Sequence, residues 1–149
     1  MKRIFILAMS AMLMISVGCS KKIVDNNGGN VNNQESKSLY ETSWILTKIN
    51  AKKVQRDEDK KQVTLIIDEE SKNVSGYAAC NRYFGKVEIK KDQMTFSQIA
   101  TTKRMCPPTY MQIEDDFLKN LNRVDNYLIQ ESKLYLRKGE NILLTFSAQ

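Results

Sequence analysis

The stretch GYAACNRYFG, residues 76–85, decides much of the fold. It begins at the end of a β-type segment, residues 72–77, and continues into Asn81-Arg82-Tyr83-Phe84-Gly85, whose composition is typical of a turn. A glycine inside a strand pattern indicates a bulge or a close approach of another backbone, so we expect one of these at Gly76. Cys80 therefore lies where a strand enters a turn, and its partner must be sought elsewhere in the chain.

The N-terminus has the layout of an export signal with a lipidation site. Lys2 and Arg3 precede an uncharged apolar run, residues 4–17, which is shorter than the roughly 20 residues that span a bilayer. Small residues then lead to Cys19, as in a lipobox, where the cysteine is acylated and becomes the new N-terminus. We therefore predict that residues 1–18 are a lipoprotein signal peptide. An ordinary signal peptide and an uncleaved anchor are the alternatives.

Residues 19–38 are predicted to be the lipidated cysteine and a flexible tether. The segment after Cys19, SKKIVDNNGGNVNNQESKS, is rich in Asn, Gly, Ser and Lys and contains no aromatic residue. Such a segment cannot offset its ordering entropy, and a tether of this kind suits a protein held on a membrane by its lipid. Ser20 after the cysteine favours the outer membrane. The predicted location is the envelope of a Gram-negative bacterium, facing the periplasm.

The remaining cysteines predict a disulfide. The chain has three cysteines and no histidine, so Cys80 and Cys106 remain as a pair if Cys19 carries a lipid. Their bridge would close a loop of about 26 residues, worth roughly 3 kcal/mol in the chain-entropy model. The alternatives are a metal site, which needs more ligands, a redox pair, which needs a CxxC spacing that is absent, and a nucleophilic cysteine, which would lack an imidazole base. We expect neither a metal nor a cofactor.

The charge pattern argues against a nucleic-acid partner. The formal net charge is +6, but the lysines around residues 52–61 alternate with acidic residues, as is typical of a solvated surface. A nucleic-acid site would need a one-sided basic stripe, and export removes the protein from nucleic acid. The membrane, contacted through the N-terminal lipid, is the partner that the sequence does predict.

From residue 39 onward, short β-type segments joined by tight turns dominate. We predict strands at residues 44–49, 63–67, 72–77, 85–90, 93–102, 127–130, 133–137 and 141–147, and a polar loop at residues 51–62. One late helix is predicted to start around Pro107 and Pro108, which are tolerated at the start of a helix, and Thr109 to Gln112 has the spacing of a capping box. The predicted fold class is mainly β, a small antiparallel β-barrel-like fold with one late α-helix.

The helix carries an apolar stripe and two early carboxylates. The stripe, which we expect to contact the core, consists of Tyr110, Ile113, Phe117, Leu118, Leu121 and Val124. Glu114 and Asp115 would be the best acid–base candidates if the protein were an enzyme. Exposed charges that match the helix dipole are the simpler interpretation of both.

Several motifs together resemble the META domain, the family of the HslJ-like bacterial lipoproteins. The matching segments are Trp44-Ile45-Leu46, residues 63–67, the cysteine boxes 74–85 and 99–106, Met94-Thr95-Phe96, Glu114 with Phe117-Leu118, and Leu134-Tyr135-Leu136. The chain departs from the pattern at Ala79, where the family commonly has glycine, at Arg104, and in residues 51–62. The resemblance implies that residues 39–149 form one domain of roughly lipocalin-type topology, with a role in envelope stress and no established catalytic activity.

Two functions are left open by these observations. The first is a non-catalytic, stress-related interaction or protection module whose partner is an unknown envelope protein. The domain itself is expected to be monomeric. The second is a lipocalin-like carrier, because a barrel of this size can hold one small ligand. No nucleophile motif, metal cluster or phosphate loop in the sequence points to an enzyme.

A binding cluster is predicted around the disulfide. Asn81, Arg82, Lys103 and Arg104 all lie within three residues of a paired cysteine. Bridging would gather three cations, which could receive an anionic ligand, a partner's carboxylates or a lipid head group. The alternative is that Asn81 satisfies the backbone of a turn and that the cations are solvated.

Overall fold

The computed structural model describes residues 37–55 and 61–149. The predicted signal peptide, Cys19 and nearly all of the tether lie outside these residues. In chain order the described elements are β1 (Trp44–Ile49), β2 (Lys52–Lys53), β3 (Thr64–Ile67), β4 (Asn73–Tyr77), β5 (Arg82–Lys90), β6 (Gln93–Thr101), α1 (Pro108–Leu121), β7 (Asn126–Gln130), β8 (Lys133–Lys138) and β9 (Asn141–Ala148).

The strands form one antiparallel sheet that closes on itself. Their order is β2-β1-β3-β4-β5-β6-β7-β8-β9, and β1 also pairs with β9. Strand neighbours in the ring follow one another in the sequence, apart from β2, which adds two residues to β1. The mainly β prediction with one helix is confirmed, and this ring-like sheet is compatible with the barrel-like description.

Strand pairing around the ring is shortest between β6 and β7, the two strands that α1 separates in the chain. The register between them contains the single pair Gln93↔Asn126. Two backbone hydrogen bonds extend it, from Met94 N to Asp125 O at 3.1 Å and from Tyr127 N to Asp92 O at 2.9 Å. These strands therefore meet at one end, where the chain returns from the helix.

Large side chains fill the interior of the ring. The bulkiest of the fully buried ones are Trp44, Tyr83, Phe117, Phe146, Leu65, Ile67, Met94, Leu121, Leu134, Leu136, Leu144 and Val74. The ring of Phe117 on α1 makes edge contacts with Tyr83 of β5 at 5.3 Å and with Phe146 of β9 at 6.4 Å between centroids. The helix therefore packs its apolar side into the core, as its stripe predicts.

Two predictions about the helix are wrong. Its N-cap is Pro107, which makes no side-chain capping bond, and the helix begins at Pro108. Thr109 thus lies inside the first turn and cannot form the predicted capping box. Glu114 is not a surface charge but is buried, whereas its neighbour Asp115 is exposed.

Two local predictions in the strands are also wrong. The polar segment after β1 includes the strand Lys52–Lys53, which pairs with Ile49 and Lys48. The turn predicted at residues 81–85 lies earlier, because β5 already begins at Arg82 and the Ala78 N–H donates to the Asn81 carbonyl at 2.7 Å. Tyr83 and Phe84 are consequently strand residues that point to opposite faces of the sheet.

Candidate functional site

A disulfide joins the turn between β4 and β5 to the segment that leads into α1. Cys80 and Cys106, the predicted pair, are bonded, and their Cα atoms lie 5.9 Å apart. The Cys80 sulfur also lies 3.3 Å from the Arg104 carbonyl oxygen. The bridge thus holds two connecting segments together at the place where the helix begins.

The carboxylate of Glu114 is buried beside this bridge. Its Oε2 atom accepts hydrogen bonds from the backbone N–H groups of Cys80 at 3.1 Å and Asn81 at 2.6 Å. Its Oε1 atom accepts a third from the Asn81 side-chain amide at 2.8 Å. A buried carboxylate is tolerated where donors replace its water, and here one turn supplies all three. Glu114 therefore fastens α1 to the β4–β5 turn.

Asn81 connects the same turn to the segment after β6. Its Oδ1 atom accepts hydrogen bonds from the Arg104 backbone N–H at 2.8 Å and from the Thr102 hydroxyl at 3.0 Å. Its amide nitrogen also lies 3.4 Å from the Arg104 carbonyl oxygen. Asn81 is only 6% exposed, and its amide is used inside the protein. We refer to Cys80, Asn81, Thr102, Arg104, Cys106 and Glu114 as the disulfide corner.

The turn at this corner contains a residue in the left-handed region. Ala79 has a φ of 96°, a backbone conformation that costs a residue with a Cβ atom energy and costs glycine little. This explains in physical terms why glycine would suit the position before the cysteine. The alanine that stands here instead of glycine therefore has a strained backbone conformation.

The predicted cations have different positions and contacts in the structure. Arg82, Lys103 and Arg104 are all exposed. Arg104 takes part in the corner through its backbone, whereas Arg82 lines a groove on the outer face of the sheet. Of the four predicted residues, the corner brings together Asn81 and the backbone of Arg104.

That groove has a volume of about 370 Å³ and opens on the outer face of β3, β4 and β5. We call it the aromatic groove and define it by Lys61, Thr64, Ile66, Ser75, Gly76, Tyr77, Arg82, Tyr83 and Phe84. A smaller groove of about 160 Å³ shares Lys61 and Tyr77 with it and extends to Cys106 and Pro107. The two form one surface that runs from the sheet face to the disulfide.

Gly76 lies in the wall of the aromatic groove. A Cβ atom there would collide with the Thr64 carbonyl oxygen and approach the Tyr83 ring, so the close approach predicted at this glycine is confirmed. The Tyr83 hydroxyl donates to the same carbonyl at 3.0 Å. Burial raises the pKa of Tyr83 above the usual tyrosine range, because ionisation would place a charge in the core.

Sequence reasoning missed this groove. The available signal was the spacing of Arg82 and Phe84, which are two residues apart and therefore share one face of any strand. Reading residues 81–85 as a turn concealed that alternation. The positions of Ile66 and Tyr77 beside them depend on strand register, which the sequence did not provide.

In residues 37–55 and 61–149, no three or more Asp, Glu, Cys or His side chains lie close enough to hold a metal ion. No helix within the same residues has the length and apolar character that crossing a membrane requires.

Comparison with known proteins places this geometry in a family. A comparison with the curated proteins finds no match. Among solved structures, the chain is similar to the NMR structure of a protein from Burkholderia xenovorans, with 26% identity and a TM-score of 0.62 over 74% of this chain and 83% of that one. A second NMR structure, 22% identical, has the same fold, with a TM-score of 0.56 over 71% of this chain and 87% of that one. The META domain model matches residues 37–149, and the chain therefore belongs to the META domain family.

Proposed function

We propose that this protein is a membrane-anchored, non-catalytic lipoprotein of the bacterial envelope that acts through protein contacts as a stress-related interaction or protection module. Membership of the META domain family supports an envelope-type domain. The lipobox at Cys19 and the polar tether after it support anchoring by a lipid. The outer membrane is the location that Ser20 favours.

One observation favours contacts at the surface over a ligand in the interior. Side chains of the core occupy the inside of the ring, with Trp44, Phe117 and Phe146 among those fully buried. Apolar and cationic side chains of the aromatic groove are exposed on the outer face instead. This distribution weighs against a carrier that holds its ligand inside the ring.

The environment of Glu114 supports the non-catalytic part of the proposal. Its carboxylate faces three donors from Cys80 and Asn81, and general acid–base catalysis needs a carboxyl group that can reach a substrate. Glu114 thus serves the structure of the corner. Asp115, next to it on α1, is exposed and does not line either groove described above.

Anchoring is tested by labelling cells that express the full chain with an alkynyl fatty acid and separating inner and outer membranes. The wild-type protein should carry the label and sediment with the outer membrane, and Cys19→Ala should lose both properties. An unlabelled wild-type chain, or a labelled Cys19→Ala variant, would contradict the proposal.

The mode of action is tested by native mass spectrometry of the same protein, released gently from the envelope. A protein without a small-molecule adduct agrees with the interaction module. An adduct of defined mass that dissociates when the gas-phase ions are activated would favour the carrier.

The stress role predicts that cells lacking the protein survive heat shock less well and that the wild-type chain restores survival.

A further inference from the structure

We propose that the aromatic groove binds an extended acidic segment of a protein partner, one that presents an apolar side chain and a carboxylate two residues apart. This inference deepens the proposed interaction function and rests on it. It assigns the contact to the outer face of β3, β4 and β5. The disulfide corner then supports the groove and does not itself bind the partner.

An apolar row crosses the three strands. Ile66, Ser75 and Phe84 are in register from β3 to β5, so their side chains lie side by side on the outer face. Phe84 is 57% exposed and Ile66 is 37% exposed, which leaves a large ring and an aliphatic side chain open to solvent on either side of a small serine. An apolar side chain of a partner could enter above the serine and contact both.

A cationic row lies beside the apolar one. Tyr77 of β4 is in register with Arg82 of β5, and the Lys61 ammonium lies 5.6 Å from the centre of the Tyr77 ring. Neither Lys61 nor Arg82 forms an ion pair with a carboxylate of the described residues, and none of the groove residues is acidic. The groove thus offers two positive charges that a partner's carboxylate can complement.

The spacing of the rows suggests the form of the partner. Phe84 and Arg82 are two residues apart on β5, as Ser75 and Tyr77 are on β4, and such positions are separated by roughly 6.6 Å along a strand. Side chains two residues apart in an extended partner have the same separation and point the same way. One can therefore meet Phe84 while the next on that face meets Arg82.

A protein segment fits these rows better than an anionic membrane. Surface cations contribute about 1 kcal/mol each to membrane attraction, and lipid binding by this route usually needs four to eight of them in a cluster. The groove contains two, together with an aromatic ring placed for a single side chain. The membrane is consequently one of the outcomes that the test must distinguish.

The test uses the full-length acylated chain in detergent and fluorescein-labelled octapeptides measured by fluorescence anisotropy. The probe has the sequence Ser-Leu-Ser-Asp-Ser-Leu-Ser-Asp, which places leucine and aspartate on one face. One control, Ser-Leu-Asp-Ser-Ser-Leu-Asp-Ser, has the same composition but puts them on opposite faces. A second control replaces each aspartate of the probe by lysine.

We expect saturable binding of the probe that weakens as ionic strength rises, and at least tenfold weaker binding of both controls. Arg82→Gln and Phe84→Thr should each weaken probe binding about tenfold or more, as central contact residues do. Leu128→Thr is the matched control, because Leu128 is an apolar residue of β7 that is 43% exposed and lies outside the groove. It should bind the probe as the wild-type chain does.

Several results would overturn the inference. These are no saturable binding of the probe, equal binding of the two sequence isomers, or no effect of Arg82→Gln and Phe84→Thr. The membrane alternative is measured with Cys19→Ala, which lacks the lipid anchor. If this chain sediments with vesicles of phosphatidylglycerol and phosphatidylcholine, if Phe84→Thr and Arg82→Gln abolish that sedimentation, and if peptide binding is absent, the groove is assigned to the membrane. Fatty-acid labelling at Cys19 tests the anchoring and native mass spectrometry tests the interaction function, so a failure of the groove inference is distinguishable from a failure of the proposed function.

Discussion

Residues 76–85 contribute to both the disulfide corner and the aromatic groove, and the two regions differ in how their polar groups are satisfied. At the corner, Asn81 is 6% exposed and Glu114 is 9% exposed, and the polar atoms of both are bonded within the protein. In the groove, Phe84 is 57% exposed and Arg82 has no described carboxylate within ion-pair distance.

This difference indicates that some side chains of residues 76–85 stabilise the fold and that others are available for binding. Groups that are buried and bonded contribute to stability, because their removal leaves a partner without a hydrogen bond in a place that water does not reach. Groups that are exposed and unpaired can gain contacts only from another molecule. Substitutions at the corner should therefore change the free energy of unfolding, and substitutions in the groove should change binding.

The largest effect is expected for Glu114→Ala. Three buried donors on Cys80 and Asn81 would lose their acceptor at once, which should lower the free energy of unfolding by about 3 to 5 kcal/mol. Urea unfolding of the full chain measures this value. Asp115→Ala is the matched control, since it removes the adjacent but exposed carboxylate and should change stability by less than about 0.5 kcal/mol. Equal effects of the two substitutions would remove the distinction between corner and surface.

Loss of the disulfide should come next in size. Replacing Cys80 and Cys106 by alanine together opens a loop with a sequence separation of 26, and we expect a loss of about 3 kcal/mol. The measurement is the unfolding free energy with and without a reductant. The wild-type chain should become less stable when reduced, and the variant should not respond. A variant as stable as the oxidised wild type would show that hydrogen bonds alone maintain the corner.

Tyr83→Phe should have a smaller, pH-dependent effect. The variant loses the hydrogen bond from the Tyr83 hydroxyl to the Thr64 carbonyl, at a cost of about 1 kcal/mol near neutral pH. Burial raises the Tyr83 pKa in the folded state, so the folded chain retains a proton that the unfolded chain releases above the ordinary value of 10.0. This contribution to stability is complete below that value and declines as the pH rises above it.

Unfolding of both proteins between about pH 8 and pH 11 checks the sign of this effect. The other tyrosines are common to the two chains, so the difference between their stabilities isolates Tyr83. The difference in unfolding free energy between the wild-type chain and Tyr83→Phe should become smaller as the pH rises. A constant gap would mean that the folded chain does not retain the Tyr83 proton more strongly than the unfolded one.

Ala79→Gly should be stabilising. Glycine relieves the strain at a φ of 96°, which is of order 1 to 3 kcal/mol, but it also increases the entropy of the unfolded chain at a cost of about 0.5 to 1 kcal/mol. The net expectation is a gain of about 1 kcal/mol in the unfolding free energy. A loss of stability would show that the Ala79 side chain contributes more through packing than its backbone costs.

Sequence reasoning predicted the disulfide and the position of Asn81 beside it, but of the groove it found only Arg82 and the close approach at Gly76. The strand Trp44–Ile49 has the predicted bounds, and the close approach at Gly76 was expected, because local pattern and glycine chemistry determine both. The burial of Glu114 could not be predicted, since an acidic residue near a helix start has the same sequence signature whether it matches the dipole or accepts buried bonds. Its donors lie 33 and 34 residues away in the chain.

Three other differences between prediction and structure have separate causes. The strand Lys52–Lys53 consists of exposed lysines that pair through the backbone, and such pairing leaves no apolar alternation to detect. The turn before β5 was placed too late because it contains no glycine, and Ala79 adopts the positive φ instead. The groove depends on register among three strands, and short segments do not determine register by themselves.

The smallest change in stability is expected for the groove. Phe84→Thr replaces a largely exposed ring by a residue that also favours strands, and Arg82→Gln removes a charge without a described ion-pair partner, so each should alter the unfolding free energy by less than about 1 kcal/mol. Leu128→Thr should do the same, although only the two groove variants are expected to lose peptide binding. Thermal unfolding measures the stability of each variant, and fluorescence anisotropy measures its peptide binding on the same samples. If Phe84→Thr destabilised the chain as strongly as Glu114→Ala, the exposed ring would be part of the scaffold, and the division between corner and groove would fail.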